Sequence, residues 1–201
     1  MKELEDRILK DGIILPGEIL KVGSFLNQQV DPCLLKKMAI EARRLFPEEL
    51  TKVLTIEASG LPFATAIAME ICCPMVFAKK QATLNLSGDL VSSTVYSFTH
   101  KKENQIVITR DYILPTDKVL IVDDFLANGN ALRGLIDIVN KCGAQVVGCC
   151  VQIEKYYQNG GNELRNLGYK VESLACIAEM KDEKITFKNW KGEKRKNEKD
   201  F

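Results

Sequence analysis

Two rhythms of apolar residues alternate along the chain. Leu4, Ile8 and Leu9 lie on one face of a short helix that ends near Gly12. The stretch IILPGEILKVGSFLN reads as short extended pieces, broken by Pro16, Gly17 and Gly23. Asp31-Pro32 is a helix start, with Asp as N-cap and Pro at the first position, and Leu35, Met38, Ala39, Ala42, Leu45 and Phe46 follow at helical spacing. Val53–Ile56 predicts a strand, Glu57–Gly60 a loop, and Phe63, Ile67 and Ile71 one face of the next helix. MVFAKK and QIVIT are further strands. Between them the pattern loosens from Gln81 to Asn104, long for a plain connection and of the kind that forms a mobile lid or hairpin. Val119–Val122 is an unbroken aliphatic strand, and Leu132, Leu135, Ile136, Val139 and Cys142 form a helical face closed by Gly143. AQVVGCCVQIEK is a strand, Glu163–Leu167 a helix capped by Gly168, and a final strand starts near Val171. Apolar strands separated by helices predict an α/β fold, a parallel sheet covered on both faces, with its site at the strands' carboxyl ends.

Composition narrows the class. The chain has 201 residues, 46% of them hydrophobic and 27% charged, enough for one domain with a substantial core. Its net charge is +1; the segment from Lys191 carries +2, which leaves the body at −1 and argues against a nucleic-acid binder. That last segment, 191–201, has almost no apolar content and is expected to be a disordered charged tail. No apolar run approaches the roughly 18 residues of a membrane span, so no membrane partner is expected. Seven cysteines include no C-x-x-C spacing and read as small buried hydrophobes. With a charged opening stretch in place of a secretory leader, a reduced, cytoplasmic protein is expected.

The candidate chemistry begins at VLIVDDFLANGNAL, where Asp123 and Asp124 close the aliphatic strand and a Gly-bearing loop leads into a helix. Charges at that end of a buried strand stand where α/β ligands bind. The loop Ala127, Asn128, Gly129, Asn130, Ala131 precedes a helix N-terminus, whose unpaired N–H groups and positive dipole end suit a phosphate. Two acids beside an anion site fit a ribose 5-phosphate; the alternative is an ordinary βα turn whose acids cap the helix. Glu57-Ala58-Ser59-Gly60 is a second strand–loop–helix junction, and the pair of junctions suits a substrate carrying a phosphate and a pyrophosphate.

These residues resemble the type I phosphoribosyltransferases. EILKVGSFLNQQVDP, TIEASG, VYSFT, VLIVDDFLANG and IEKYYQ resemble its bacterial xanthine-using members, in order and spacing, over nearly all of 1–190. The resemblance implies a mainly parallel twisted sheet flanked by helices in one domain of residues 1–190. It also implies a small N-terminal hood (about 12–30 plus a C-terminal part) and a flexible loop at about 81–104. The implied reaction transfers the phosphoribosyl group of 5-phosphoribosyl-1-pyrophosphate to xanthine, in purine salvage. Asp123 and Asp124 are then the catalytic acids on the ribose hydroxyls; Ala127 to Ala131 take the 5′-phosphate; Ser59, Gly60 and Lys79, with Lys80, meet pyrophosphate. Leu20, Asn27 and Lys155 line the base pocket. Lys155 donates only, which favours a 6-oxo over a 6-amino group, and Asn27 can serve the second oxygen. Magnesium is implied on the substrate's pyrophosphate and ribose oxygens, without a protein-only metal site, and a homodimer is implied as the assembly.

Two positions depart from the family pattern. Many members carry threonines in the phosphate loop, where this chain has Asn128, Asn130 and Ala131. Several members acting on 6-oxopurines place a general base two residues before the loop Gly, where this chain has Ala127. Rival readings are an enzyme preferring hypoxanthine or guanine, and a non-catalytic sensor of the same pyrophosphate.

Overall fold

The computed structural model describes residues 1–80, 88–97, 102–181 and 184–188. The elements in order are α1 (Lys2–Asp11), β1 (Ile13–Leu15), β2 (Ile19–Lys21), α2 (Pro32–Leu45), β3 (Lys52–Ile56), α3 (Leu61–Ile71), β4 (Met75–Ala78), β5 (Leu90–Ser97) and β6 (Lys102–Thr109). They continue with β7 (Lys118–Leu126), α4 (Asn130–Lys141), β8 (Gln145–Lys155), α5 (Gly160–Asn166), β9 (Val171–Lys181) and β10 (Lys184–Phe187). Local chemistry sets several boundaries. The Asp31 carboxylate accepts from the N–H groups of Cys33 and Leu34, with Pro32 opening α2. Gly143 and Gly168 take positive φ just past α4 and α5, where a left-handed residue ends a helix without a Cβ clash.

Six strands form the main sheet in the order β10-β9-β8-β7-β3-β4. Five run parallel and β10 runs antiparallel to β9. From β3 the chain crosses to β4 on one side and later returns to β7 on the other. The loops after β3 and β7 therefore flank a topological switch point, where open α/β sheets bind ligands. Both faces of β7 are buried: Val119 and Ile121 join a core shared with α4, Leu120 and Val122 one shared with α1, α2 and α3. That two-sided burial is why this strand is unbroken in aliphatics. The described chain thus has the α/β architecture expected from the sequence. Among the described residues no helix is long and apolar enough to cross a membrane.

Several local expectations need correction. β7 reaches Leu126, so Asp123 and Asp124 lie inside a strand and not at its end; β8 continues beside it, pairing Ile153 with Phe125 and Glu154 with Leu126. In the segment read as extended, β1 and β2 do form an antiparallel hairpin, but Gly23–Asn27 winds into one π-helical turn. Val22, Phe25 and Leu26 are all buried there, a spacing that alternation cannot deliver. The final strand is eleven residues long and is followed by β10, too short to signal itself. Within the loose segment, 88–97 and 102–104 belong to the β5–β6 region, while 81–87 and 98–101 lie outside the described residues, as does the 191–201 tail. Cys142, Cys149 and Cys150 are buried as expected, with burial pushing the Cys149 thiol up to about 12; Cys33 and Cys72 are exposed.

Candidate active site

Three distant segments meet at Asp124. Its Oδ1 accepts from the Ser59 hydroxyl at 2.9 Å and its Oδ2 from the Asn27 amide at 3.0 Å. Asn27 ends the π-helical turn that follows β2, and Ser59 lies in the loop between β3 and α3. A residue of the N-terminal π-helical turn and a residue of the β3–α3 loop thus share the carboxylate of a strand acid. Asp123 Oδ1 accepts the Asp124 backbone N–H at 2.9 Å. Burial, and then the charge of Asp124, hold the Asp123 carboxyl well above the usual carboxylate range. The adjacent acids are both buried, at 5% and 7% exposure, so each is costly unless a ligand uses it.

Gly60 opens α3 and packs against this pair. A Cβ built on it would stand 2.3 Å from Thr55 Oγ1 and 3.2 Å from Asp123 Oδ1, so the loop backbone passes where no side chain fits. The Glu57–Ala58 peptide is cis. Glu57 holds the neighbouring strand end, its Oε1 accepting the Lys80 N–H at 2.9 Å. The two lysines part company here. Lys79 pairs its backbone with Val107 and lines an apolar cleft of about 380 Å³ with Met75, Phe77, Ile108 and Tyr112. Lys80 is exposed, and its charge reaches Asp123.

The loop from Ala127 to Ala131 turns on Gly129 at φ +78° and enters α4 at Asn130. Its carbonyls are held from outside: Ala127 O accepts from Gly160 N at 3.1 Å, and Asn128 O from Arg133 Nη1 at 2.7 Å. The two acids lie near the end of β7, and the helix entrance follows it across the loop that begins at Ala127. This arrangement can hold an anion at one end and vicinal hydroxyls at the other.

Lys155 ends β8, and its ammonium donates to the Glu18 carbonyl at 2.8 Å, 6.0 Å from the centre of the Phe125 ring. Half-burial pulls its pKa down, since the charged form loses solvent. Lys155 therefore joins the sheet to the tip of the β1–β2 hairpin. Leu20 is buried in the core beneath that hairpin, opposite Ile14. Sequence reasoning missed Arg133 and Tyr157. Burial and the charge of Glu18 push the Tyr157 phenol up to about 12, and its hydroxyl has no hydrogen-bond partner among the described residues. Its place two residues after Lys155 was the available signal. Another cleft, about 500 Å³ between Glu154, Arg165, Tyr169 and Lys188, includes none of the nominated residues in its described lining.

Residues 29–186 match the phosphoribosyl transferase domain family. The xanthine phosphoribosyltransferase of Lachnoclostridium phytofermentans is 47% identical, covering 91% of this chain and 95% of that protein. That of Finegoldia magna is 43% identical over 94% of this chain and all of that protein. Among solved structures, the adenine phosphoribosyltransferase of Giardia lamblia, complexed with 9-deazaadenine, superposes with a TM-score of 0.74 at 21% identity, covering 88% of this chain and 98% of that chain. The adenine phosphoribosyltransferase of Rhodothermus marinus gives 0.72 at 24% identity, covering 88% and 97%. At those identities the likeness shows the fold.

Proposed function

The chain belongs to the phosphoribosyltransferase family, and from that membership we infer that it is a xanthine phosphoribosyltransferase. It joins N9 of xanthine to C1′ of 5-phosphoribosyl-1-pyrophosphate and releases pyrophosphate, giving xanthosine monophosphate. The observation that carries the site assignment is the meeting of Asn27, Ser59 and Asp124. It joins a base-side residue, a pyrophosphate-side residue and a ribose-side acid at one carboxylate.

In this reading Asp123 and Asp124 take the ribose hydroxyls. As the bond from C1′ to the pyrophosphate oxygen lengthens, positive charge develops on the sugar, and carboxylates on its hydroxyls stabilise it. The loop 127–131 holds the 5′-phosphate, while Ser59, Gly60 and Lys80 face the leaving group; Lys79, turned to the cleft beside β4, does not take that role. Lys155 meets the base's 6-oxo group and Asn27 its second oxygen; Leu20 supports the pocket from below. Both polar groups are engaged already, by Glu18 and Asp124, and the base exchanges those bonds for its own.

Ala127 leaves no carboxylate where several relatives of the fold carry a general base. Xanthine ionises partly near neutral pH, so the anion binds, and its charge strengthens N9 as the nucleophile. The imidazole proton passes to solvent as the N9–C1′ bond forms and the bond from C1′ to the pyrophosphate oxygen breaks, with no protein carboxylate needed at position 127. A kcat/KM profile following an enzyme pKa, and not that of xanthine, overturns this step.

Among the described residues no three His, Cys, Asp or Glu side chains cluster as a metal cage. The two acids fit a magnesium ion carried mainly by substrate oxygens, which would neutralise the departing pyrophosphate. The further reading is of a cytoplasmic homodimer with one catalytic domain over 1–190 and a hood from about 12–30. The direct test incubates the protein with xanthine, the pyrophosphate substrate and magnesium. Xanthosine monophosphate and pyrophosphate in equal amounts are expected; unchanged xanthine contradicts the assignment.

A further inference from the structure

We propose that Arg133 and Gly160 are positioning residues that set the phosphate loop from its outer side; the inference rests on that loop holding the 5′-phosphate. The Asn128 carbonyl accepts from Arg133 Nη1 at 2.7 Å, and the Ala127 carbonyl from Gly160 N at 3.1 Å. Two successive carbonyls are thus turned toward Arg133 and the start of α5. In a planar trans peptide the N–H points opposite to the C=O. The N–H groups of Asn128 and Gly129 are therefore aimed away from the brace, as a pair of successive donors of the kind that binds an anion.

Gly160 fits this role by lacking a side chain. A Cβ there would stand 2.4 Å from Ala127 O and from Asn128 C, and 2.5 Å from Gly129 N, so the α5 entrance lies against the loop's peptide planes. Arg133 is itself fixed. Its Nη2 is ion-paired with Glu163 of α5, and Asn159 Nδ2 reaches Glu163 Oε1 at 3.4 Å. A guanidinium can hold a carbonyl and a carboxylate at once in one plane, which an ammonium does less well. The brace also supplies what Asn128, Asn130 and Ala131 do not: without threonine hydroxyls, the aim of the backbone donors matters more. Because α5 follows directly on Lys155–Gln158, one short segment supports both the base-facing lysine and the phosphate loop.

The test compares Arg133→Met and Arg133→Lys with wild type, using ribose 5-phosphate and inorganic pyrophosphate as separate competitors of the substrate. Losing one charge-assisted bond to a loop carbonyl is expected to weaken ribose 5-phosphate about tenfold. Pyrophosphate inhibition, KM for xanthine and Tm are expected to stay near wild type, and Arg133→Lys to recover part of the loss. Gly160→Ala is expected to weaken ribose 5-phosphate at least as much, by pushing the loop backbone. Equal weakening of both competitors, or none, overturns the brace. Ala131→Asp separates the two layers of the argument by placing a carboxylate at the loop's end. If it abolishes ribose 5-phosphate binding while Arg133→Met leaves it intact, the brace fails and the loop assignment stands. If it leaves binding intact, the loop assignment fails, and the brace with it.

Discussion

Replacing Gly60 by Ala changes one atom at the most crowded point of the site. Gly60 has φ −74°, which alanine adopts without strain, so the effect is purely steric. The new Cβ meets Thr55 Oγ1 at 2.3 Å, against ordinary contacts that begin near 3.4 Å, so the loop must retreat by about 1 Å. It also lies 3.2 Å from Asp123 Oδ1, which closes the direction of escape toward the acids. Overpacking of this kind costs ~1–3 kcal/mol of stability. A displacement of 1 Å in a positioning group costs on the order of 100-fold in rate. Gly60→Ala should therefore lower kcat/KM for the pyrophosphate substrate by about 100-fold and weaken pyrophosphate inhibition, leaving ribose 5-phosphate affinity within twofold. Thr55→Ala removes the clashing hydroxyl, which has no hydrogen-bond partner among the described residues, so little polar bonding is lost with it. The double variant should regain much of the activity. Steady-state kinetics with both competitors, on single and double variants, decide the matter. Pyrophosphate inhibition unaltered in Gly60→Ala, or a deficit that Thr55→Ala does not reduce, refutes the close-approach argument.

Asp124→Asn keeps the shape but turns one acceptor oxygen toward Ser59 or Asn27 into a donor. Turnover should fall at least about 100-fold, as for loss of a transition-state electrostatic partner, with a modest Tm change; an unchanged rate overturns the ribose assignment. Lys155→Met should raise KM for xanthine about tenfold while leaving that for the pyrophosphate substrate within twofold, and equal losses would make Lys155 a hood strut only. Asp123 gives a pH signature. Its folded pKa lies above the unfolded value of 3.8, so the folded state binds more protons between the two. Stability from this group is full below pH 3.8 and is lost as pH rises through that window. Asp123→Asn should flatten that loss, so its Tm relative to wild type climbs with pH; a difference independent of pH contradicts the raised pKa.

The sequence made some of this plain and hid the rest for physical reasons. Val119–Val122 announced a strand buried on both faces, and the acids after it announced a site, because burial and charge are local properties of a residue. Asp31-Pro32 announced α2 through a cap that spans three residues. The bonds that assemble the site span much larger separations: Asn27 to Asp124 crosses 97 residues and Ser59 to Asp124 crosses 65. No periodicity encodes them. The brace on the phosphate loop was hidden differently. Gly160-Gly161 begins α5, although two glycines predict a break and not a helix, so its contact with Ala127 and Asn128 had no local sign. The π-helical turn at Gly23–Asn27 and the four-residue β10 were missed because each is shorter than the pattern needed to detect it.

The central claim is that a family site with Lys155 and Asn27 at its base end, and no acid at 127, serves xanthine. Measuring kcat/KM for xanthine, guanine, hypoxanthine and adenine, at fixed magnesium and saturating 5-phosphoribosyl-1-pyrophosphate, tests it most directly. The account predicts the highest value for xanthine and no measurable turnover of adenine, whose 6-amino group meets a donor in Lys155. Adenine turned over, or hypoxanthine preferred to xanthine, would contradict it.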